Sequence, residues 1–475
     1  MKKKKKKKNI IFKVIASIYS ILYIIFIGLL FYLNIIPDKY MLPLVITTVL
    51  ISILLVFLLV KKNVKTKIKW VCVVFICLLS IIYTAGTYYM YTTINFLGKL
   101  NNVTKQVEKY YVVVNNDSEY KNEKQLKNEE ITTLNKKNDL DNEALDKLKK
   151  ELSVTYNEVE NLNDIEASLK NNHPIFVSSS LYNILCESMY EIDEYSKIIY
   201  TIEVNKEVSK IENKKDVTSE PFNIYISGAD SSGTINSMAR SDVNMVVTVN
   251  PKTHKILLTS IPRDYYVTLH SFGAKDKLTH AGIYGINESV STVEDLLDIE
   301  INYYAHVNFT TLINIVDVIG GIDVYSDYTF TTHGMGVKYT FYAGNNTLNG
   351  QKALAFARER KSFVDGDKQR VKNQQKVLSA ILNKVMNSST ILTNYSDILN
   401  ALGNSFQTNM SQSEITSLVK KQLNDMSSWS IENISLDGSG SHNVTYTYGN
   451  QLLYVMNPDI SSVTNVKNQI NEIIK

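Results

Sequence analysis

Phe222-Asn-Ile-Tyr-Ile-Ser-Gly-Ala-Asp230 holds the key to the fold: Phe222–Ile226 reads as a strand, and Gly228-Ala-Asp230 ends it. Asn244–Asn250 and Lys255–Ser260 are two further strands, parted by the turn Pro251-Lys-Thr. Ser289–Asp298 reads as a helix and Tyr304–Val307 as a strand. Thr310–Ile319 is a helix stopped by Gly320-Gly321, before a strand at Ile322–Tyr325. Asn349–Phe356 and Gln374–Met386 read as helices, and residues 387–475 add Ser- and Asn-rich turns with two or three weaker helices. Strands interleaved with helices predict an α/β domain with a central sheet flanked by helices, over residues 216–475.

Working outward, Ile211–Glu220 followed by Pro221 reads as a linker. Before it, residues 99–215 are rich in Lys, Glu and Asn and contain no Arg. Strands are expected at Tyr110–Val114 and Ile175–Val177, and exposed helices at Asn122–Glu130, Asn142–Leu152 and Asn161–Leu169. This is the pattern of a small α/β accessory domain; with no catalytic constellation in it, a scaffold or partner platform is expected.

The first 98 residues differ again. Val14–Leu33, Met41–Val60 and Trp70–Tyr91 are apolar and free of charge. About 20 residues at about 1.5 Å each span the roughly 30 Å of a hydrocarbon core. This segment holds 14 Lys and one acid, Asp38, a net charge of +13. With +4 for the whole chain, the other 377 residues carry −9, which argues against general nucleic-acid binding. Lys2–Lys8 and the Lys-rich 61–69 loop mark the cytoplasmic side, so three spans place everything after about residue 92 outside. A cleaved signal peptide is the competing reading, but no small-residue cleavage site follows Leu33. Cys72 and Cys77 lie in an apolar stretch, leaving Cys186 alone in the rest of the chain, with no intramolecular disulfide or Cys-pair metal site there.

Of 51 basic residues only five are Arg: Arg240, Arg263, Arg358, Arg360 and Arg370, all within 131 residues. Arg presents a planar fork that grips phosphate oxygens bidentately, whereas Lys is a point charge. Five forks in one domain point to a multiply charged phosphate group, with structural Arg–carboxylate pairing as the alternative. Asp230, Asp242, Asp264, Asp365 and Asp367 accompany them. Carboxylates beside a phosphate site suggest a bridging divalent ion such as Mg²⁺, best held by Asp230 and Asp242; turn-capping is the other explanation. The seven His show no metal spacing, and His280 is expected to be structural. Neither a Gly-x-Ser-x-Gly elbow nor a P-loop is present.

Six blocks run in order: Asn223-Ile-Tyr-Ile-Ser-Gly-Ala-Asp230, Arg240-Ser-Asp242, Ser260-Ile-Pro-Arg-Asp264, Lys277-Leu-Thr-His-Ala281, Leu348-Asn-Gly-Gln-Lys-Ala-Leu-Ala-Phe-Ala-Arg-Glu-Arg360 and Asp367-Lys-Gln-Arg370-Val-Lys-Asn-Gln-Gln375. They resemble the LytR–CpsA–Psr (LCP) family of Gram-positive bacteria over roughly residues 221–386. The three spans (1–98) and the domain at 99–215 resemble its capsule-associated CpsA-like branch.

The resemblance implies a multi-pass cell-membrane enzyme with its catalytic domain outside. It would transfer a capsular polysaccharide or other wall glycopolymer from a polyprenyl-pyrophosphate carrier to peptidoglycan, alongside capsule-assembly proteins. Asp230 and Asp242 would hold Mg²⁺ or Mn²⁺, and Arg240, Arg263, Arg358, Arg360 and Arg370 would clamp the pyrophosphate, with Gln374 touching the head group. Asp367 is the candidate general base. Val377, Leu378, Ile381, Leu382 and Val385 have the helical spacing of a lipid-tunnel wall. Many relatives carry Arg where this chain has Asn373, which points to a difference in clamp strength or substrate choice. A non-enzymatic lipid-pyrophosphate-binding regulator and a polyprenyl-pyrophosphate hydrolase are the alternatives.

In a variant lacking its three native Cys, a Cys placed near residue 65 should be shielded from an impermeant thiol reagent in intact cells, and one near residue 110 labelled. The reverse pattern would overturn the external placement.

Overall fold

The computed structural model describes residues 2–101, 105–135, 139–186, 191–207, 215–229, 235, 240–333, 337–386, 397–398 and 400–475. Helices α1 (Lys2–Leu33), α2 (Asp38–Val60) and α3 (Thr66–Asn101) pack as an up-down-up bundle. All three are long and apolar enough to cross a membrane, over Ile10–Leu33, Asp38–Val60 and Thr66–Asn95. Two pairs of polar groups inside the bundle bond to one another, Tyr19 to Ser52 at 2.8 Å and Tyr23 to Thr48 at 3.1 Å.

The second unit is built on strands β1 (Lys105–Asn115), β2 (Glu130–Leu134), β3 (Thr155–Val159), β4 (Ile175–Ser178) and β5 (Ser196–Glu207), in the order β3-β2-β4-β1-β5. Strand β2 runs parallel to β3 and β4; β1 runs antiparallel to β4 and β5. Helix α4 (Asp139–Leu152) covers one face, with Ala144 and Leu148 buried against Val112 and Phe176. Helices α5 (Leu162–Lys170) and α6 (Ser179–Leu185) cover the other. Ile283 and Tyr448 of the third unit join this second core and fasten the two units together. The helix expected at Asn122–Glu130 is absent. Asn122 caps a single 3₁₀ turn at Glu123–Leu126, Asn128 turns left-handed at φ 67°, and Glu130 already starts β2. Leu126 is the lone apolar residue of that stretch, so a helix there would have no face to bury.

The third unit carries a six-stranded sheet. Strands β6 (Phe222–Ala229), β7 (Ser241–Asn250) and β8 (Lys255–Ile261) form an antiparallel meander. Two short strands, β9 (Tyr266–Thr268) and β10 (Lys275–Lys277), lead to helices α7 (Leu278–Ala281) and α8 (Ile286–Leu297). Strand β11 (Tyr303–Asn308) runs parallel to β6, and Phe406–Thr408 and Ser430–Ser435 close the two edges. Both faces are apolar, so side chains alternate between two cores. Tyr225, Val246 and Leu257 point toward α8 and the C-terminal helix Ile460–Ile474. Phe222, Met245, Val247 and Leu258 point toward helix Gln412–Asp425.

Helices α9 (Phe309–Val318), α10 (Gly350–Arg358) and α11 (Asp367–Met386) pack together with two small hairpins around Phe330, Phe341 and Phe356. Gly350 lets α10 lie against α9; a Cβ there would sit 2.3 Å from the Ile313 carbonyl oxygen. Helix α11 begins seven residues before the expected Gln374, because its first two turns are polar and show no apolar period. It is pinned on two sides. Gln369 donates to Asn373 at 3.0 Å, Asn373 donates to the Phe356 carbonyl at 3.2 Å, and Gln375 donates to the Ile434 carbonyl at 2.7 Å. Asn373 is therefore a buried tie between α11 and α10, placed apart from the ligand-facing side of the helix.

Asn373→Arg should thus act on folding: a guanidinium in that buried slot lacks a counter-charge, a penalty of several kcal/mol. The solubilised protein should unfold at a clearly lower temperature, and an unchanged midpoint would mean that the slot opens to solvent.

Candidate active site

A cavity of about 420 Å³ lies between strands β6, β7 and β11 of the sheet and helices α9, α10 and α11. All five arginines of the chain line it. Each arrives by a different local device. Arg240 precedes β7 and Arg263 follows β8, so neighbouring antiparallel strands bring both to one end of the sheet. Arg358 ends α10, and its guanidinium lies over the Phe309 ring, 4.2 Å from the centroid. Glu359 is extended (φ −66°, ψ 130°), which turns its own side chain away from those of Arg358 and Arg360. Its buried carboxylate accepts from the backbone N–H of His333 at 2.6 Å and of Ser362 at 3.0 Å. Arg370 sits one turn into α11, and Gln374, Val377, Leu378 and Ile381 follow it along the same helix face.

The charge pattern is tightly paired. Arg263 Nη1 donates to Asp242 at 2.9 Å, and Thr279 Oγ1 donates to the same oxygen at 3.3 Å. Burial pushes the Asp242 pKa up, but Arg263 and then Arg240 outweigh it and hold the carboxyl below its usual range. Arg263 Nε lies 3.6 Å from Asp264, too far for a hydrogen bond. Asp264 is itself held by Lys277 at 3.0 Å. Arg370 Nη2 is 2.6 Å from Asp367. Burial pushes the Arg370 pKa down; Asp367 opposes this, and the nearby Arg263 and Arg360 add to it. The Nε donors of Arg263 and Arg370 are buried with no hydrogen-bond partner. Asn308 and Phe309, at the positive N-terminal end of α9, complete the same wall.

The rest of the lining is apolar: Ile226, Val243, Met245, Val307, Leu312 and Leu354, with Val377, Leu378 and Ile381. The cavity thus joins an arginine-lined end, suited to an oxyanion, to an apolar end, suited to a hydrocarbon. Gly228 is part of the wall, where a Cβ would press within 2.8 Å of the Val243 Cβ.

The expected site residues sort plainly. Arg240, Asp242, Arg263, Arg358, Arg360, Arg370, Gln374, Val377, Leu378 and Ile381 meet in this cavity. Asp230 lies outside the described residues. Asp367 stands behind Arg370 and is not part of the lining. Leu382 packs into the core under helix Gln412–Asp425, and Val385 into the core around Phe356, so neither lines the cavity. His280 is buried against Asp276 at 2.5 Å, which fits a structural role. Sequence reasoning missed Asn308, Phe309 and Leu312; the run Asn308-Phe-Thr-Thr311, an N-cap followed by an aromatic residue, was the available signal.

Among the described residues no group of three or more His, Cys, Asp or Glu could enclose an ion. Asp242 is the carboxylate that lines the cavity among them. One or two carboxylates suffice for Mg²⁺ only when phosphate oxygens and water supply the remaining ligands, and the residues fit an ion held in that shared way.

The LytR_cpsA_psr family model matches residues 187–470. Over 260 residues the chain is 36% identical to the polyisoprenyl-teichoic acid–peptidoglycan teichoic acid transferase TagU of Bacillus mycoides, covering 54% of this chain and 82% of that protein. It is 38% identical over 207 residues to the protein of the same name from Bacillus subtilis, covering 43% and 63%. The crystal structure of B. subtilis TagV aligns with 30% identity over 54% of this chain and 98% of that one, with a TM-score of 0.47. The match takes in more than half of the chain and both walls of the arginine cavity, and this protein belongs to the LytR_cpsA_psr family.

Proposed function

We propose that this protein transfers a glycopolymer from a polyprenyl-pyrophosphate carrier to peptidoglycan on the outer face of the cell membrane. One observation carries the reading: every arginine in a lysine-rich chain lines one cavity whose other end is apolar. A pyrophosphate with a polyprenyl tail has that same division of charge and oil. The relatives are named as transferases of teichoic acid to peptidoglycan. For this chain the polymer is a capsular polysaccharide or another wall glycopolymer, the capsule being favoured by the three-span anchor and accessory unit.

In the transfer, an acceptor hydroxyl oxygen attacks the phosphorus that bears the glycan. The bond from that phosphorus to the bridging oxygen breaks, and polyprenyl phosphate leaves with the electron pair. Such a reaction needs positioning and charge neutralisation more than a protein nucleophile. Arg263 and Arg370, each with an unpartnered Nε, offer donors to the phosphate oxygens, and Arg240, Arg358 and Arg360 close the ring around them. By the family resemblance Asp367, 2.6 Å from Arg370 and just outside the lining, is the candidate to take the acceptor's proton, and Gln374, in the lining, is assigned the head-group contact. Asp242, together with Asp230, would hold Mg²⁺ or Mn²⁺ against the pyrophosphate; when bound, the ion neutralises charge on the leaving group.

The assay is release of polyprenyl phosphate from a lipid-linked oligosaccharide with a peptidoglycan acceptor. Arg→Lys at Arg263, Arg358 or Arg360 keeps the charge and loses the fork. A charge-assisted hydrogen bond worth about 1.5–3 kcal/mol makes the expected loss roughly 10- to 100-fold per site, while Lys252→Arg should be silent. Wild-type rates in all three Lys variants would break the arginine assignment. In the same assay Asp242→Ala, Asp230→Ala and chelation of divalent ions should each abolish transfer; full activity of the double Asp variant would remove the metal.

A further inference from the structure

The apolar end of the cavity is built against the membrane anchor. Val307, in the cavity wall, is the register partner of Phe406 on the neighbouring edge strand. Antiparallel partners share a face and stand about 5 Å apart. Phe406 in turn packs with Leu402 and Ile415 on Leu33 and Ile35 at the end of α1 and on Met90 and Ile94 of α3. Helix Gln412–Asp425 forms the second connection. Its Lys420 reaches Asn34 and Asp38 in the α1–α2 turn, each at 2.9 Å, and Lys39 donates to the Asn424 carbonyl. The same helix touches the far end of α11, where Gln422 donates to the Met386 carbonyl at 2.8 Å. Along α11, Arg370 and Ile381 are 11 residues apart, about 16 Å of helix. The arginines are therefore at the end of α11 away from this contact, and the apolar lining runs toward it.

We propose that the contact between the anchor and the sheet edge is a fixed dock that turns the cavity's apolar end to the bilayer. A long polyprenyl chain then passes from lipid into the cavity along continuous apolar surface, with its pyrophosphate delivered to the arginines. Lys420, Asp38, Asn34 and Ile94 are positioning residues for long-chain donors, outside the reacting groups. This rests on the transfer reading above.

The test compares two donors using the full chain: a long-chain polyprenyl-pyrophosphate oligosaccharide in proteoliposomes, and a short-chain, water-soluble analogue in detergent. With the long-chain donor, Ile94→Asp should lower transfer about tenfold. Lys420→Glu, which sets a carboxylate against Asp38, should lower it several-fold, and adding Asp38→Lys should restore it. With the short-chain donor all these variants should match the wild type. A Cys pair replacing Asp38 and Lys420, bridged by a short bis-maleimide, should stay active on the long-chain donor. Wild-type rates in Ile94→Asp and Lys420→Glu, equal losses on both donors, or inactivation by the bridge would each overturn the dock while transfer itself stands. No release by the wild type from either donor would instead remove the transfer reading, and the dock's purpose with it.

Discussion

Five guanidinium groups crowd into one cavity, and the carboxylates of Asp242, Asp264 and Asp367 stand against two of them, Arg263 and Arg370. Like charges repel strongly where protein replaces water, and each carboxylate offsets part of that cost. Burial pushes the Arg370 pKa down, with Asp367 opposing and Arg263 and Arg360 adding to the fall, whereas at Arg263 the carboxylates of Asp242 and Asp264 outweigh burial and raise it.

That crowding dictates the surrounding architecture. The arginines come from the ends of two strands, the end of one helix, the loop after it and the first turn of another helix. Holding such scattered groups still requires rigid joints. Gly350 allows α9 and α10 to touch, Glu359 fixes the loop between Arg358 and Arg360, and Asn373 and Gln375 lock α11 from both sides. Lys277 holds Asp264 near Arg263, and the neighbouring Asp276 ties His280 and Thr447 into the same support.

Much of this was readable from the residues. The spans were plain because 20 apolar residues in a row have no other comfortable place. The arginine site was legible through an accident of composition: where nearly every cation is Lys, a kept Arg is conspicuous. The failures have physical causes. The start of α11 is polar because Arg370 faces the cavity while the buried Gln369 and Asn373 form a hydrogen-bonded tie to α10, which erases the apolar period. Of the five residues with the spacing of a tunnel wall, Val377, Leu378 and Ile381 line the cavity, whereas Leu382 and Val385, one turn further along α11, pack beyond it. Strand β5 sets Tyr200, Ile202 and Val204 on one face, a period of two masked by charged neighbours and by the bulge at Ile199. Asn373 looked like a weakened clamp because sequence adjacency to Gln374 hides the turn of the helix between them.

The accessory unit enters on β1 and leaves on β5, and these strands are neighbours, with Lys105 opposite Glu207. Chain direction aside, the way in and the way out are a single doorway. A unit of about a hundred residues is thereby hung on the connection without lengthening the distance that the connection has to bridge. Geometrically it behaves as a side chapel off a corridor: the third membrane helix and the catalytic sheet can meet as closely as if nothing stood between them in sequence. Growth of this sort keeps the span of the connection it interrupts, so α3 and the sheet edge keep their contact.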